Sequence, residues 1–576
     1  MNAPIRNPDG APLANVSLAV ESTAEAYLAM LAHRGIDRIF VNAGTDFASI
    51  VEAYSRQPQS GLRFPQFTVC AHETVAIGMA HGHYLATGKP AAVMVHVSVG
   101  TANTICGVMN AARDFSPILV TAGRNPLYEQ GRKGARAAVI HWSQEMFDQA
   151  GMLRELVKWD YELRDGAQVP QVVDRALSVA MASPRGPVYL TLPREVLAQA
   201  QQGVEFAALP PAAPADASPD PQALATLRAM IESAKCPVFI ANETGREQAN
   251  VALLAAVAEK LGVGVVEHPR ALFMCLPNSH PLHLGSDQGP ALAKADLVIV
   301  LSTDAPWIPL VMAPNAGAKV VHVGADPLFS DIPIRSFPSD LSITATTGAF
   351  LRALAAGEGV PGAEARKAAL GAIRAAVRDS RTKRLADAMK APRINVAMLN
   401  AALQEVRPLD AIVVNEYWTD RSLADFEQPG TYFSHSMAGG LGWGLPAALG
   451  IQQANPDRTV IAAVGDGAYV FANPTACHMV AQAESLPVLT ILNNNGHWAA
   501  VKRAALQVHP GGHASKTPLP PMTSMGESPA YEKYAEASGG YGARVEKPAE
   551  LVPAIKRALE VVTKERRQAV LNVLCD

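Results

Sequence analysis

Short, nearly unbroken apolar runs recur along the chain, separated by longer stretches with helical spacing. A first block carries them at 38–41, 92–97, 118–122 and 188–192. A second has them at 238–241, 263–266, 297–302 and 319–323, and a third at 411–415, 460–464, 488–492 and 569–573. A strand without a polar face is buried on both sides, so a sheet of such strands needs helices over each face. Strand and helix in alternation predict parallel sheets. The expected fold class is therefore α/β, with three doubly wound parallel-sheet domains in series. The Pro- and Ala-rich stretch 208–221 reads as a linker, and 357–392 as a charged helical connection that stops at Pro392. Domains are expected at 16–200, 218–356 and 390–576.

Two local patterns carry chemistry. Ala71-His72-Glu73-Thr74 opens a helix that continues through Gly78, Ala80 and Gly82. Small residues about one turn apart let that helix lie close against another. Glu73 then stands near a helix N-terminus on the packed side. The macrodipole favours a carboxylate there, but burial demands a hydrogen-bonding partner. The second pattern is Val464-Gly465-Asp466-Gly467, an apolar-rich stretch, then Asn493-Asn494-Asn495-Gly496. An acid and an amide at the ends of neighbouring strands can share one hard cation through oxygen. Gly467 allows a close backbone approach, and a helix start near Tyr469 to Asn473 offers free N–H groups to an anion. Magnesium with a diphosphate suits this set, although an ordinary strand–turn–helix unit with a polar turn reads the same way.

Composition narrows the classes. A chain of 576 residues is too long for one core. With 49% hydrophobic and 18% charged residues it is globular rather than disordered. A formal net charge of −3 gives no electrostatic case for nucleic acid or an anionic membrane. The six cysteines are scattered, with no Cys-x-x-Cys pair, which points away from zinc and disulfides and towards a cytoplasmic protein with reduced thiols. The first 15 residues read as loose and lack a signal-peptide core. No apolar run reaches the roughly 20 residues of a membrane helix.

Taken together, five places resemble the thiamine diphosphate-dependent enzymes, on the benzoylformate decarboxylase and acetolactate synthase side of that superfamily. They are His72-Glu73; His96-Val97-Ser98-Val99-Gly100-Thr101-Ala102-Asn103; Gly186-Pro187-Val188-Tyr189-Leu190; Ala438-Gly439-Gly440-Leu441-Gly442-Trp443-Gly444-Leu445-Pro446-Ala447-Ala448; and the unit from Gly465-Asp466-Gly467 to Asn494-Asn495-Gly496. The resemblance implies pyrimidine-binding, central and diphosphate-binding domains, with thiamine diphosphate and Mg2+ as cofactors. It makes Glu73 the carboxylate that hydrogen-bonds the cofactor's pyrimidine ring nitrogen. It makes Leu441 the apolar residue that bends the cofactor, and gives the pyrimidine to the backbone of Gly439 and Gly440. Asp466, Asn495 and the His497 carbonyl would ligate magnesium, with Asn494 as the alternative amide. Gly465, Gly467 and Ala468 would border the diphosphate. Asn493 stands where the family usually has an apolar residue. The interval from acid to amides is longer than usual, with the extra length assigned to the helix around 472–484.

On the substrate side the resemblance assigns His96 to proton transfer and Thr45 to the substrate carboxylate, with Ala43 replacing a proline beside it. The central domain lacks the second histidine of benzoylformate decarboxylase. It reads Asp304-Ala305-Pro306-Trp307-Ile308-Pro309-Leu310, so Trp307 and Ile308 are expected to form an apolar edge, with His435 and His497 as possible proton-carrying substitutes. Asn242-Glu243-Thr244-Gly245-Arg246 is too poor in glycine for a nucleotide loop, and no second cofactor is expected. The implied activity is non-oxidative decarboxylation of a 2-oxo acid. A carboligase of the acetolactate synthase kind is the alternative, and a non-catalytic relative that only binds the cofactor is the alternative of another class. The family pattern also implies a homodimer or homotetramer with active sites at the subunit interface.

Overall fold

The computed structural model describes residues 15–211 and 213–576; the loose start expected over 1–15 falls almost wholly outside them. Three parallel sheets account for the three blocks. The first has the spatial order Gln66–Val69, Arg38–Val41, Ala91–Val95, Ile118–Arg124, Val188–Pro193, Asp160–Glu162. The second runs Gly264–Glu267, Pro237–Ala241, Leu297–Leu301, Lys319–Gly324, Leu341–Thr344. The third runs Tyr432–Ser434, Ile412–Glu416, Val460–Gly465, Leu489–Asn494, Ala569–Leu574, Tyr541–Val545. An antiparallel ribbon, Asn15–Leu18 with Val204–Ala207, joins the two ends of the first block. Central strands are buried on both faces, as their unbroken apolar runs require: Val238, Phe239, Ile240 and Ala241 are all 0% exposed.

Each sheet reverses its winding at a pair of central strands. The chain leaves one central strand, adds a neighbour on one side, and returns to add the next on the other. The reversals fall between Arg38–Val41 and Ala91–Val95, between Pro237–Ala241 and Leu297–Leu301, and between Ile412–Glu416 and Val460–Gly465. Loops diverge at the carboxyl ends of such a strand pair and leave a crevice, the usual ligand site of a doubly wound sheet. In the first sheet that crevice is flanked by the loop carrying Asp46 and by His96, and in the third by Tyr417 and Asp466.

Two compact units hold the three sheets. One takes in the described chain through Pro214 together with Ser436–Ala454; the other is Ala215–His435 with Asn455–Asp576. Within the second unit, Val251 and Met274 from the central block join the core of the third sheet. Glu267 there forms an ion pair with Arg421, both side chains fully buried. Within the first unit, helix Gly444–Ala454 lies on helix Glu73–Thr87. A Cβ on Gly78 would sit 2.5 Å from Pro446 Cβ, one on Gly82 2.1 Å from Ala447 O, and one on Gly450 2.0 Å from Met79 O. The close helix contact expected from the small residues is therefore made through glycine. Alanine at Gly82 would force the pair apart, an overpacking that costs about 1–3 kcal/mol. Segment 436–454, expected inside the 390–576 domain, packs with the first block.

The 357–392 connection is the helix Ala363–Ala388. After the linker, helix Pro221–Ser233 begins with Asp220 Oδ1 accepting from Ala223 N at 2.9 Å. All six cysteines are free thiols, and only Cys106 is exposed. No helix among the described residues is long and apolar enough to cross a membrane.

Candidate active site

Glu73 is the first residue of its helix and is 8% exposed. His72 caps the helix, its Nδ1 accepting from Thr74 N at 3.1 Å. Asn103 Nδ2 donates to Glu73 Oε2 at 3.0 Å. The other oxygen, Oε1, faces Gly100, where a Cβ would come within 3.3 Å. One carboxylate oxygen is thus anchored, and the other has no protein donor among the described residues. Asn103 lies in the run quoted for the resemblance, but nothing in that run pointed to this role.

His96 ends the strand Ala91–Val95 at the first sheet's switch point. Its Nδ1 lies 2.5 Å from Asp46 Oδ1, while Asp46 Oδ2 accepts from Val97 N at 3.3 Å. Asp46 is 2% exposed. The pair is closely fitted: a Cβ on Gly123 would fall 1.9 Å from Asp46 Oδ2, and one on Gly44 would fall 2.1 Å from His96 Nδ1. The hydrogen bond to Asp46 raises the His96 pKa above the ordinary imidazole value, against an opposing effect of burial. On the far side of the ring, Gln144 Nε2 is 3.4 Å from His96 Nε2, and Gln144 Oε1 is buried without a hydrogen-bond partner. Val97 holds φ at +31°. A β-branched residue in that region is strained, and such strain tends to gather at functional sites. Thr45, expected on the substrate carboxylate, is exposed on the 3-10 turn Thr45–Phe47 directly before Asp46. Asp46 was missed in the sequence, although its place in the loop beside Thr45 was the available signal.

Asn110 clamps the glycine loop of the first unit. Its Oδ1 accepts from Gly440 N at 3.1 Å, and its Nδ2 donates to Gly440 O at 2.9 Å. Gly439 and Gly442 have φ of +69° and +88°, which favours glycine at both. Leu441 follows on this loop, lining a small pocket with Ile77, Cys106 and Trp443. Gly439, Gly440 and Leu441 thus form one rigid turn fastened to the Val97–Arg113 helix through Asn110.

Asp466 opens helix Asp466–Phe471 and is 4% exposed. The helix begins there rather than near Tyr469, with Gly465 as its extended cap residue. Asp466 Oδ1 accepts from Gly467 N at 2.9 Å and Oδ2 from Gly496 N at 2.7 Å. Asn494 Oδ1 accepts from that same Gly496 N–H at 3.2 Å, so acid and amide oxygens converge. Asn494 is held in place by Nδ2 bonds to Asn572 Oδ1 at 2.8 Å and Ser528 Oγ at 2.6 Å. Asn495 turns its Oδ1 to His497 N at 2.9 Å, and the His497 carbonyl accepts from Ala499 N at 2.9 Å. Of the two candidate amides, Asn494 shares a donor with Asp466 and Asn495 does not. Asn493, beside Gly465 in the ladder, leaves its Oδ1 buried with no partner.

Burial raises the Asp466 pKa, and the backbone N–H groups of Gly496, Gly467 and Asn495 offset only part of that cost. A buried carboxylate next to amide oxygens is a donor set that fits a hard cation. The space beside Gly467 is taken by the Trp498 ring, which a Cβ there would approach to 2.5 Å. Ala468 is buried just behind it. The long interval expected around 472–484 holds helix Pro474–Ala483, set off by Asn473 at φ +53°.

Two substrate-side expectations need correction. Trp307 does not form an open edge: it is 3% exposed, belongs to the central core, and packs edge-on against Phe337 with centroids 5.3 Å apart. An indole prefers that apolar site to water, and the exposed side chain is its neighbour Ile308. His435 is buried, and burial followed by the adjacent Arg270 pushes its pKa down to about 3. It is neutral at physiological pH and carries no proton to give as a cation. His497 Nδ1 lies 2.7 Å from Gly496 O.

These two switch-point crevices belong to a thiamine diphosphate-binding α/β enzyme, the class that the family models show. Family models agree along the chain. The N-terminal TPP-binding domain of thiamine pyrophosphate enzymes matches 21–152, the central domain 224–354, and the C-terminal TPP-binding domain 413–573. The chain belongs to the thiamine pyrophosphate enzyme family and is an enzyme of its decarboxylase and carboligase branch. It is similar to benzoylformate decarboxylase of Pseudomonas aeruginosa, 29% identical over 496 residues, covering 82% of this chain and 86% of that protein. It is also similar to sulfoacetaldehyde acetyltransferase of Rhodobacter capsulatus, 27% identical over 582 residues, covering 93% and 92%. The solved thiamine diphosphate-dependent 4-hydroxybenzoylformate decarboxylase of Rhodococcus jostii RHA1 shares the fold. Its TM-score is 0.75 at 24% identity, over 96% of this chain and 99% of that one.

Proposed function

We propose that this chain decarboxylates a 2-oxo acid without oxidation, with thiamine diphosphate and magnesium as cofactors. The observation that carries the reading is the Asp46–His96 pair. A buried carboxylate 2.5 Å from Nδ1 fixes the imidazole's orientation and leaves Nε2 as the atom that gives and takes a proton. Bound thiamine diphosphate supplies the nucleophilic carbon and the electron sink that loss of carbon dioxide requires. Glu73, anchored by Asn103, keeps one oxygen for the cofactor's ring nitrogen. The clamped turn of Gly439, Gly440 and Leu441 positions that ring. Asp466 with an Asn494 or Asn495 amide, and the His497 carbonyl if its turn opens, would hold magnesium against the diphosphate, bordered by Gly465, Gly467 and Ala468. Thr45, exposed directly before Asp46, would offer the substrate carboxylate a hydroxyl.

A second reading, a carboligase of the acetolactate synthase kind, is favoured by one observation. The central domain supplies no histidine at 304–310, and His435 is held neutral, so proton delivery rests on His96. The acetyltransferase among the relatives points the same way. A panel of 2-oxo acids, with and without an acceptor aldehyde, separates the readings. Carbon dioxide released without acceptor supports the decarboxylase; turnover that needs a second carbonyl compound sinks it.

The proposed assembly is a homodimer or homotetramer whose sites need residues of more than one subunit. Mixing inactive Glu73→Gln and Asp466→Ala proteins should then restore some activity, and an active monomer by sedimentation would contradict it. The free thiols fit a reducing compartment, and the cytoplasm is the proposed location.

A further inference from the structure

The second unit holds a cleft, open to solvent, that the cofactor reading leaves unused. It lies between helix Ala363–Ala388, the loop 278–290 and the turn 421–425. Five arginines border it, Arg374, Arg378, Arg381, Arg384 and Arg421, against two aspartates, Asp287 and Asp425. The first four follow one another at three- or four-residue steps along one helix face, where like charges repel.

Protein partners account for only part of this charge. Arg381 is paired with Asp425 and also donates to Leu423 O at 2.9 Å. Arg384 donates to Ser422 Oγ at 2.6 Å, and Arg374 to Ser279 O at 2.9 Å. The Arg374 pKa is lowered by burial and then by the charge of Arg378. Arg378 itself has no side-chain partner among the described residues. Arg421 is more telling. Its side chain is 0% exposed and one Nη is paired with Glu267, but Nε and Nη1 are buried with no acceptor. A buried donor left unmade costs about 1–3 kcal/mol, more when charged.

We propose that this cleft binds a phosphate-bearing anion, held at its mouth by Arg374 and Arg378 and at its floor by the free N–H groups of Arg421. Guanidinium forks meet phosphate oxygens two at a time, which suits a cleft walled by several of them. The cleft opens beyond the edge strand Gly264–Glu267, where Val265 pairs with His283, and no residue of the 242–246 loop lines it. Arg421 belongs to the connection that leaves strand Ile412–Glu416 at Tyr417, so an occupant here would bear on a loop of the crevice that holds Asp466.

The test uses holoenzyme saturated with thiamine diphosphate and magnesium, so that the Asp466 site is filled. Inorganic phosphate, pyrophosphate and a nucleoside diphosphate are titrated in calorimetry at about 0.15 M salt. The expected result is one site per chain, with a Kd of about 1 mM or tighter for at least one of them. Arg378 is exposed and unpaired, so Arg378→Glu should fold and melt as the wild type does in the absence of these anions. It should weaken binding at least about 10-fold, since it replaces a charge-assisted contact by a repulsion. Equal affinity for pyrophosphate and the nucleoside diphosphate would show that phosphate alone is read; a preference for the nucleotide would name the source. No saturable binding of any of the three up to about 10 mM, or unchanged affinity in Arg378→Glu, overturns the proposal.

Discussion

Two buried carboxylates in the second unit, Glu267 and Asp466, have opposite fates. Burial by itself would raise the pKa of Glu267, but Arg421 and His283 more than offset it and hold the group down at about 2. Asp466 has only backbone N–H groups against its own burial, and its pKa is raised. A buried acid supplied with its own cation joins two parts of a fold. A buried acid left without one, beside convergent amide oxygens, is a place prepared for a cation from outside. The contrast also explains the leftover N–H groups of Arg421, since one carboxylate cannot satisfy a whole guanidinium.

The largest effects should come from removing each acid. Asp466→Ala should lose cofactor affinity by more than about 100-fold, beyond the usual range for disturbing only a metal ligand's support, while the apoprotein stays folded. Glu267→Gln strands a buried Arg421 and should cost about 3–5 kcal/mol of stability, with cofactor affinity little changed below its melting temperature. The two also predict opposite pH slopes. The Glu267 pKa is depressed, so its contribution is present above the unfolded carboxyl value of 4.5 and is lost as pH falls towards about 2. The Asp466 pKa is raised, so this group costs the apoprotein stability as pH rises through its titration range, and magnesium with cofactor should restore it. Melting curves of apo- and holoprotein against pH read both. An Asp466→Ala protein that binds cofactor normally would erase the distinction.

Glu73 sharpens the comparison from the other unit, since it is buried and anchored but keeps one oxygen without a protein donor. Glu73→Gln retains the size and the Asn103 contact while losing the charge. Cofactor binding should be near normal, and proton exchange at the cofactor's reactive carbon should slow by about 100-fold or more. Unchanged exchange would remove Glu73 from the chemistry.

Central strands were legible in the sequence because burial on both faces leaves an unbroken apolar run. Arg38–Val41 matches its expected bounds, and most of the others shift by one or two residues. The strands left unread are mainly sheet edges. Gln66–Val69, Asp160–Glu162, Leu341–Thr344 and Tyr541–Val545 each end a sheet and are largely half-buried or exposed, so their pattern is that of ordinary surface chain. Tyr432–Ser434 is buried but only three residues long, too short for a periodic signal. The site divides in the same way. Glu73, His96 and Asp466 stood out by motif, whereas Asp46, Asn103 and Asn110 act through partners distant in sequence or through a loop with no pattern of its own. Trp307 was misread because it was placed by resemblance, beside the position of a missing histidine, and not by any pattern of its own. Only the packing of Phe337 shows that it is core.

The smallest effect, and the one most specific to this chain, belongs to Asp46. Its hydrogen bond is the first cause of the raised His96 pKa, while burial pulls the other way. Asp46→Asn keeps the shape of the pair but removes the charge, so the His96 pKa should fall. Well below both values the imidazolium is present in variant and wild type alike, and their rates should converge. As pH rises through the variant's lower pKa, the variant loses its proton first and a gap opens, about 10-fold at neutral pH. That is smaller than the roughly 100-fold expected for His96→Ala. A purely structural role for Asp46 would lower the rate equally at every pH and leave the alkaline limb in place. The position of that limb in the pH dependence of kcat therefore decides whether Asp46 acts through His96 or only through packing.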